Sequence, residues 1–284
     1  MEKIAIMVDS AADISPTLAE EKGIYYLPLY VNIKDKFLRD RIDISPEEFY
    51  AYIKSENYLP KTSLPAPGDI MALVEKIKED GYDKLIIICL GSKFSGTFNL
   101  CDMLEAEGIE TFAFDSKNLT LAEGMLAIQA KKLVDEGKSF EEIKLSLEKL
   151  RDNSRVFFTL ETFKYIIEGG RVPKTFGKIS DALSVKPIIS ISPENAKFNL
   201  LKIVRGEKKV FKQFYNIAKE NLEGAKEYYF FIAHGDSFDM AMRLEEVLKE
   251  FIDGASLFIK DQISPTLGAN TGPGLLGFGF LKLE

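Results

Sequence analysis

The chain of 284 residues has no tryptophan, one histidine and two cysteines. A single histidine cannot build a histidine-rich metal centre, and Cys89 and Cys101 sit in apolar surroundings rather than in a ligand cluster. No metal is therefore expected. Two cysteines also make no disulfide framework; two buried free thiols are the better reading and point to a cytoplasmic protein. Positive charge is in deficit, with 37 Lys and Arg against 44 Asp and Glu, a net charge of −7. That balance argues against a nucleic-acid partner. No apolar run approaches the roughly 20 residues a membrane-spanning helix needs, so stable membrane insertion is not expected. The opening Met1-Glu2-Lys3-Ile4 passes straight into a strand-like run without a secretory leader pattern. What the chain does have is phenylalanine, 21 in all. Two phenylalanine-rich cores explain the number; a lipid-lined tunnel is the sharper alternative.

The length suits two domains. In the first half, apolar β-type runs alternate with helical periodicity. Strands are expected at Lys3–Val8, Tyr25–Val31, Lys84–Leu90 and Thr111–Phe114. Ile70, Leu73, Val74 and Ile77 mark one face of a helix. A second helix is expected over Ser95–Ala106, a helix apolar on most sides over Leu119–Leu133, and a last one over Glu141–Leu150. This rhythm predicts a mainly parallel sheet flanked by helices. The pattern changes near Arg151–Ser154, which predicts an N-terminal α/β domain over 1–152 and a smaller α/β domain with a mixed sheet over 153–284. In the second half, strands are expected at Val156–Leu160, Ile188–Ile191, Phe198–Val204, Tyr228–Ala233, Ser256–Ile259 and Leu275–Leu283. Between them fall a short helix over Thr162–Ile167, stopped by Gly169-Gly170, and two amphipathic helices. The faces of these two carry Val210, Phe214 and Ile217, and then Ala241, Leu244, Leu248 and Phe251.

The segment Leu90-Gly91-Ser92-Lys93-Phe94-Ser95-Gly96-Thr97 carries the clearest chemistry. A buried strand empties into a short loop of glycines and hydroxyls, and a helix is expected to follow. Free backbone N–H groups at a helix start attract an anion. Ser95 is expected as the N-cap, and Gly96 allows a ligand close to the backbone. No lysine or arginine follows in the first turn, unlike a phosphate loop. Hydroxyls and amides alone suit a small carboxylate. Other hydroxyls recur where first-half strands end: Ser10, Thr62, Ser63 and Ser116. Serines and threonines there are often only caps and turn formers. Thr62-Ser63-Leu64-Pro65-Ala66-Pro67-Gly68, a rigid extended segment ahead of a helix, joins the Ser95 loop as a candidate ligand site.

Several sharper patterns read better as structure. Gly272-Pro273-Gly274-Leu275-Leu276-Gly277 spells a dinucleotide fingerprint but lies too near the chain end to open a βαβ unit. Asp9, Asp13 and Asp115 suit turn and cap duty better than a cation site. Arg171 and Lys174 read, by themselves, as solvated surface cations. An acyl- or phosphoryl-transfer enzyme using Ser95 and His234 is the alternative function. His234 is the only imidazole available, and no nucleophile elbow surrounds Ser95.

Seven short motifs occur in order: Asp9-Ser10-Ala11-Ala12-Asp13, Thr62-Ser63-Leu64-Pro65, Ser95-Gly96-Thr97, Glu168-Gly169-Gly170-Arg171, Lys186-Pro187, His234-Gly235 and Thr271-Gly272-Pro273-Gly274. In this register the chain resembles the DegV family of bacterial fatty-acid-binding proteins across essentially its whole length. The resemblance implies a two-domain α/β fold with a long-chain fatty acid buried between the domains and no further cofactor. It implies a carrier rather than a catalyst, one that in some members presents its ligand to a fatty-acid kinase. Carried over residue by residue, it places Thr62 and Ser95 on the carboxylate, Ser63 and Gly96 beside it, and Arg171 at the rim where a kinase would dock. Family members commonly have a histidine two residues before the Gly-Pro-Gly. Here that position is Asn270, which can donate a hydrogen bond but cannot become a cation.

Overall fold

Apolar runs that end in polar turns become strands in the computed structural model, which describes residues 2–56, 58–172, 185–192 and 194–284. The first half runs β1 (Ile4–Asp9), α1 (Pro16–Glu21), β2 (Tyr25–Leu27), β3 (Tyr30–Ile33), β4 (Lys36–Arg39), α2 (Pro46–Glu56) and β5 (Lys61–Ser63). It continues with α3 (Pro67–Glu79), β6 (Lys84–Cys89), α4 (Thr97–Asp102), β7 (Glu110–Asp115), α5 (Leu121–Asp135) and α6 (Phe140–Asn153). The second half contains β8 (Ser154–Thr159), α7 (Lys164–Glu168), β9 (Val185–Ile191), β10 (Phe198–Arg205) and α8 (Glu207–Leu222). It closes with β11 (Tyr228–Gly235), α9 (Phe238–Val247), α10 (Lys249–Asp253), β12 (Leu257–Gln262), α11 (Pro265–Thr271) and β13 (Leu275–Lys282).

The fold is α/β. Strands β2-β1-β6-β7, in that order, form a four-stranded sheet, parallel throughout. β1 is buried along its whole length and β6 everywhere but its first residue. Such near-continuous apolar runs are what a parallel sheet covered on both faces requires. The second sheet, ordered β10-β9-β8-β13-β11-β12, has six strands. It is mixed: only β11 and β12 pair in parallel. Helix α5 packs on β1 of the first sheet and on β8, β11 and β13 of the second. This explains why its sequence is apolar on most sides: nearly every residue from Leu121 to Ala130 is fully buried. One apolar core therefore runs from Ile6 and Val8 through Met125 to Phe158 and Phe231. Local signals place several helix starts. Ser139 and Glu142 form a reciprocal capping box on α6, and Ser15-Pro16 caps and opens α1. Among the described residues, no helix is long and apolar enough to cross a membrane.

The structure corrects four local expectations. The run expected as one strand over Tyr25–Val31 is two strands in two sheets. β2 pairs with β1, whereas β3 joins β4 and β5 in a small antiparallel sheet. Pro28 sits at the break; it has no N–H to give a ladder. The helix expected over Ser95–Ala106 is only six residues long, Thr97–Asp102, with Gly96 rather than Ser95 as its N-cap. Asn99 and Asp102 are weak helix formers. The face Ala241, Leu244, Leu248 and Phe251 is shared by two helices, α9 and α10, which meet at the fully buried Leu248. Finally α11, which follows Ser264-Pro265, is a helix the apolar pattern does not reveal.

Candidate functional site

The hydroxyls at the strand ends divide into two groups. Ser10, Ser92 and Ser116 are used inside the fold. Ser10 Oγ donates to Asp40 Oδ2 at 2.9 Å, Ser92 Oγ to Asp115 Oδ2 at 2.6 Å, and Ser116 Oγ to the Asn118 carbonyl at 3.2 Å. Thr62, Ser63 and Ser95 instead face a cavity of about 320 Å³. That size lies at the small end of ligand pockets. Gly96, Asn270 and Arg171 line the same cavity. The structure thus gathers all six sequence-derived candidates on one wall system, drawn from both halves of the chain. Lys174 lies outside the described residues.

Each candidate is delivered by a different element. β5 pairs with β3, setting Val31 opposite Thr62 and Tyr30 opposite Ser63. Ser63 Oγ accepts a 2.6 Å bond from Asn32 Nδ2, while the Thr62 hydroxyl has no partner among the described residues. Ser95 follows β6. Its Oγ accepts the Thr97 backbone N–H at 3.2 Å and lies 2.8 Å from Thr97 Oγ1. Thr97 is fully buried, so this hydroxyl pair has a fixed place. The short α4 leaves the Ser95 loop with hydroxyls and single N–H groups, without the strong dipole of a long helix. Gly96 faces Leu64, whose Cδ1 would be 3.4 Å from an added Cβ.

Asn270 is on α11, where Nδ2 donates to the Thr266 carbonyl at 3.1 Å. Its Oδ1 lies against Gly169, where an added Cβ would come within 2.5 Å. The absence of a side chain at Gly169 is what admits Asn270 to the cavity wall. Arg171 is exposed where it borders the cavity. Its Nε donates to the Phe94 carbonyl at 3.3 Å and its Nη1 to the Gly169 carbonyl. Partial desolvation lowers its pKa.

Sequence reasoning missed what α11 contributes. Thr266, Leu267 and Thr271 line the cavity with Asn270. The signal that announces this helix is Ser264-Pro265, an N-cap followed by proline at the first helical position. α11 is held by the first half of the chain. Ser264 N–H donates to Asp13 Oδ1 at 2.7 Å, and Thr266 N–H to Asp40 Oδ2 at 3.2 Å. Arg41 Nη1 lies 3.6 Å from Asp261 Oδ2, and Arg41 Nη2 donates to the Gln262 carbonyl. Burial pushes Asp13 up to about 7, against the opposing pull of Arg41. Asp9 is also pushed up to about 7 by burial, although it accepts N–H bonds from Leu90 and Ala11. Asp9, Asp13 and Asp115 thus spend their oxygens on N–H groups and hydroxyls of turns and caps.

Beyond the polar wall lies a second, narrower chamber of about 30 Å³. Its walls include apolar side chains of the central strands, among them Val156, Phe158, Phe231 and Leu275. Leu119, Phe198, Leu267 and Thr271 border both spaces. His234 borders neither. It is the last residue but one of β11; its Nδ1 accepts the Ser237 N–H at 3.4 Å, and burial lowers its pKa. Ser95 therefore has Thr97, not an imidazole, as its neighbour.

Comparison with known proteins agrees with this architecture. The family model described as "Uncharacterised protein, DegV family" matches residues 3–283. A DegV domain-containing protein of Clostridium acetobutylicum is 35% identical over 284 residues, covering 99% of this chain and 100% of that protein. One from Caldanaerobacter subterraneus is 32% identical over 284 residues, covering 99% of each. Among solved structures, DegV from Bacillus subtilis, a fatty acid binding protein, superposes with a TM-score of 0.89 at 28% identity. A fatty-acid-binding DegV family protein from Thermus thermophilus gives 0.90 at 25%. Both alignments cover 99% of this chain and 100% of the other. The family match over almost the whole chain, the full-length relatives and the shared architecture lead to one conclusion: this chain belongs to the DegV family.

Proposed function

We propose that the protein binds a long-chain fatty acid between its two larger sheets and carries it in the cytoplasm as a ligand, not as a substrate of its own chemistry. The observation that carries this reading is the adjacency of the two spaces. Four residues, Leu119, Phe198, Leu267 and Thr271, border both a hydroxyl-lined cavity and a chamber with mainly apolar walls. A head group that accepts hydrogen bonds and a tail that accepts none fit that sequence of walls. The fatty-acid binding of the Bacillus subtilis and Thermus thermophilus relatives supports it.

Thr62 and Ser95 donate to the carboxylate, Ser63 and Gly96 lie beside it, and Asn270 closes the head site with its remaining amide proton. Each bond to the charged group contributes about 1.5–3 kcal/mol. Tail burial contributes roughly 0.8 kcal/mol per methylene and supplies most of the affinity. Residues 1–152 and 153–284 form the two domains that enclose the ligand. Arg171, exposed where it borders the cavity and with two donors spent on backbone carbonyls, marks the surface a fatty-acid kinase would meet. The separation of Ser95 from His234 favours a carrier over an acyl- or phosphoryl-transfer enzyme. The buried free thiols Cys89 and Cys101 suit a reducing compartment.

The test is mass spectrometry of the purified protein under native and denaturing conditions. One fatty acid bound per chain, released on denaturation, is the expected result. A ligand-free protein that also fails to bind a fluorescent fatty acid would refute the proposal.

A further inference from the structure

The second chamber is too small for the role just given to it. About 30 Å³ holds two or so water molecules, not several methylenes. A long tail must therefore enlarge it. Half of its lining residues sit on strands that cannot yield. Phe158, Phe231 and Leu275 lie on β8, β11 and β13, the hydrogen-bonded interior of the six-stranded sheet. Phe231 is fully buried, and at Gly277 an added Cβ would already meet the Phe157 carbonyl and Phe158 Cβ at 2.9 Å.

Phe198 differs. It borders both spaces and is only half-buried. It opens β10, an edge strand of the sheet whose register with β9 slips between Leu200 and Lys202. Its ring lies 4.8 Å from that of Phe94 and 5.8 Å, nearly edge-on, from that of Phe158. Phe94 belongs to the Ser95 loop and Phe158 to the tail chamber. The ring thus touches the head site on one side and the tail chamber on the other.

We propose that Phe198 is the gate between head and tail chambers and sets the chain length the protein prefers. This rests on the fatty-acid reading above. Short acids occupy the head cavity with the ring in place. A longer chain binds only by turning the ring away from Phe94 and Phe158, and gives up those aromatic contacts to do so.

The absence of tryptophan makes the gate directly observable, because Phe198→Trp introduces a single indole. Its emission is expected to shift on titration with hexadecanoic acid but not on saturation with octanoic acid, with binding of both followed by calorimetry. Phe198→Ala removes the ring, and the preference for hexadecanoic over octanoic acid should rise about tenfold over the parent. An unchanged preference in Phe198→Ala, or equal emission shifts with the two acids, would overturn the gate while leaving fatty-acid binding intact. If the parent binds neither acid, the underlying reading fails and the gate with it.

Discussion

Replacing Ser95 by alanine tests the head site at its best-defined atom. Ser95 Oγ accepts the Thr97 N–H at 3.2 Å and pairs with Thr97 Oγ1 at 2.8 Å. If the buried Thr97 hydroxyl donates in that pair, Ser95 Oγ accepts twice and its own proton is left for the carboxylate. The lost bond to a charged acceptor then costs about 1.5–3 kcal/mol. That corresponds to a Kd weakened by between about 10-fold and about 150-fold. The ligand-free protein loses only a partly buried neutral contact, about 1 kcal/mol. Displacement of a fluorescent fatty acid gives the affinity, and urea unfolding of the delipidated protein gives the stability. Thr62→Ala should weaken binding without the stability loss, since that hydroxyl has no partner among the described residues. In a double-mutant cycle, two donors sharing one carboxylate should show coupling of at least about 0.5 kcal/mol. A Ser95→Ala protein that binds within twofold of the parent would refute the assignment. So would an affinity loss fully accounted for by unfolding.

Three further outcomes are expected. Asn270→His should tighten fatty-acid binding about fivefold near pH 6, because a protonated imidazole strengthens a bond to a carboxylate, and the gain should fade toward pH 8. A gain that does not vary with pH would assign it to shape rather than charge. Arg171→Glu should leave fatty-acid affinity within about threefold, as expected of an exposed cation. Acyl-phosphate formation by a fatty-acid kinase should fall sharply, and equal losses in both assays would make Arg171 a ligand contact instead. Asp13 is raised by burial to about 7, so the folded state holds its proton to higher pH than the unfolded chain does. Its contribution is full below about pH 4 and is lost as pH rises through 7. Asp13→Asn keeps the shape and removes the titration. The stability of the parent relative to this variant should therefore drop by up to about 3 kcal/mol between pH 5 and pH 8, measured by urea unfolding. A difference that stays constant or grows would show that Asp13 is ionised throughout.

Elements whose identity is set by their neighbours in sequence are legible in the sequence alone. β1, β6, β7, β8 and β11 follow from apolar runs ending in polar turns, and α3 and α8 from spacing near 3.6 residues. The apolar residues on most sides of α5 announced a buried helix. The Ser95 loop and the Thr62-Ser63 segment stood out because hydroxyls after buried strands are chemically conspicuous. The registered motifs named the family. What escaped were features set by distant partners. Tyr25–Val31 reads as one strand because each residue favours extended backbone; that its two ends belong to different sheets depends on β1 and β5, which lie elsewhere in the chain. α11 is short and weakly amphipathic, and it is held by Asp13 and Asp40, more than 200 residues upstream. The meeting of Thr62, Ser95 and Asn270 at one cavity follows from strand order and crossovers, which local periodicity does not encode. Phe198 shows the same division: the sequence makes it apolar and extended, and only the packing of β10 beside Phe94 and Phe158 puts its ring between two chambers.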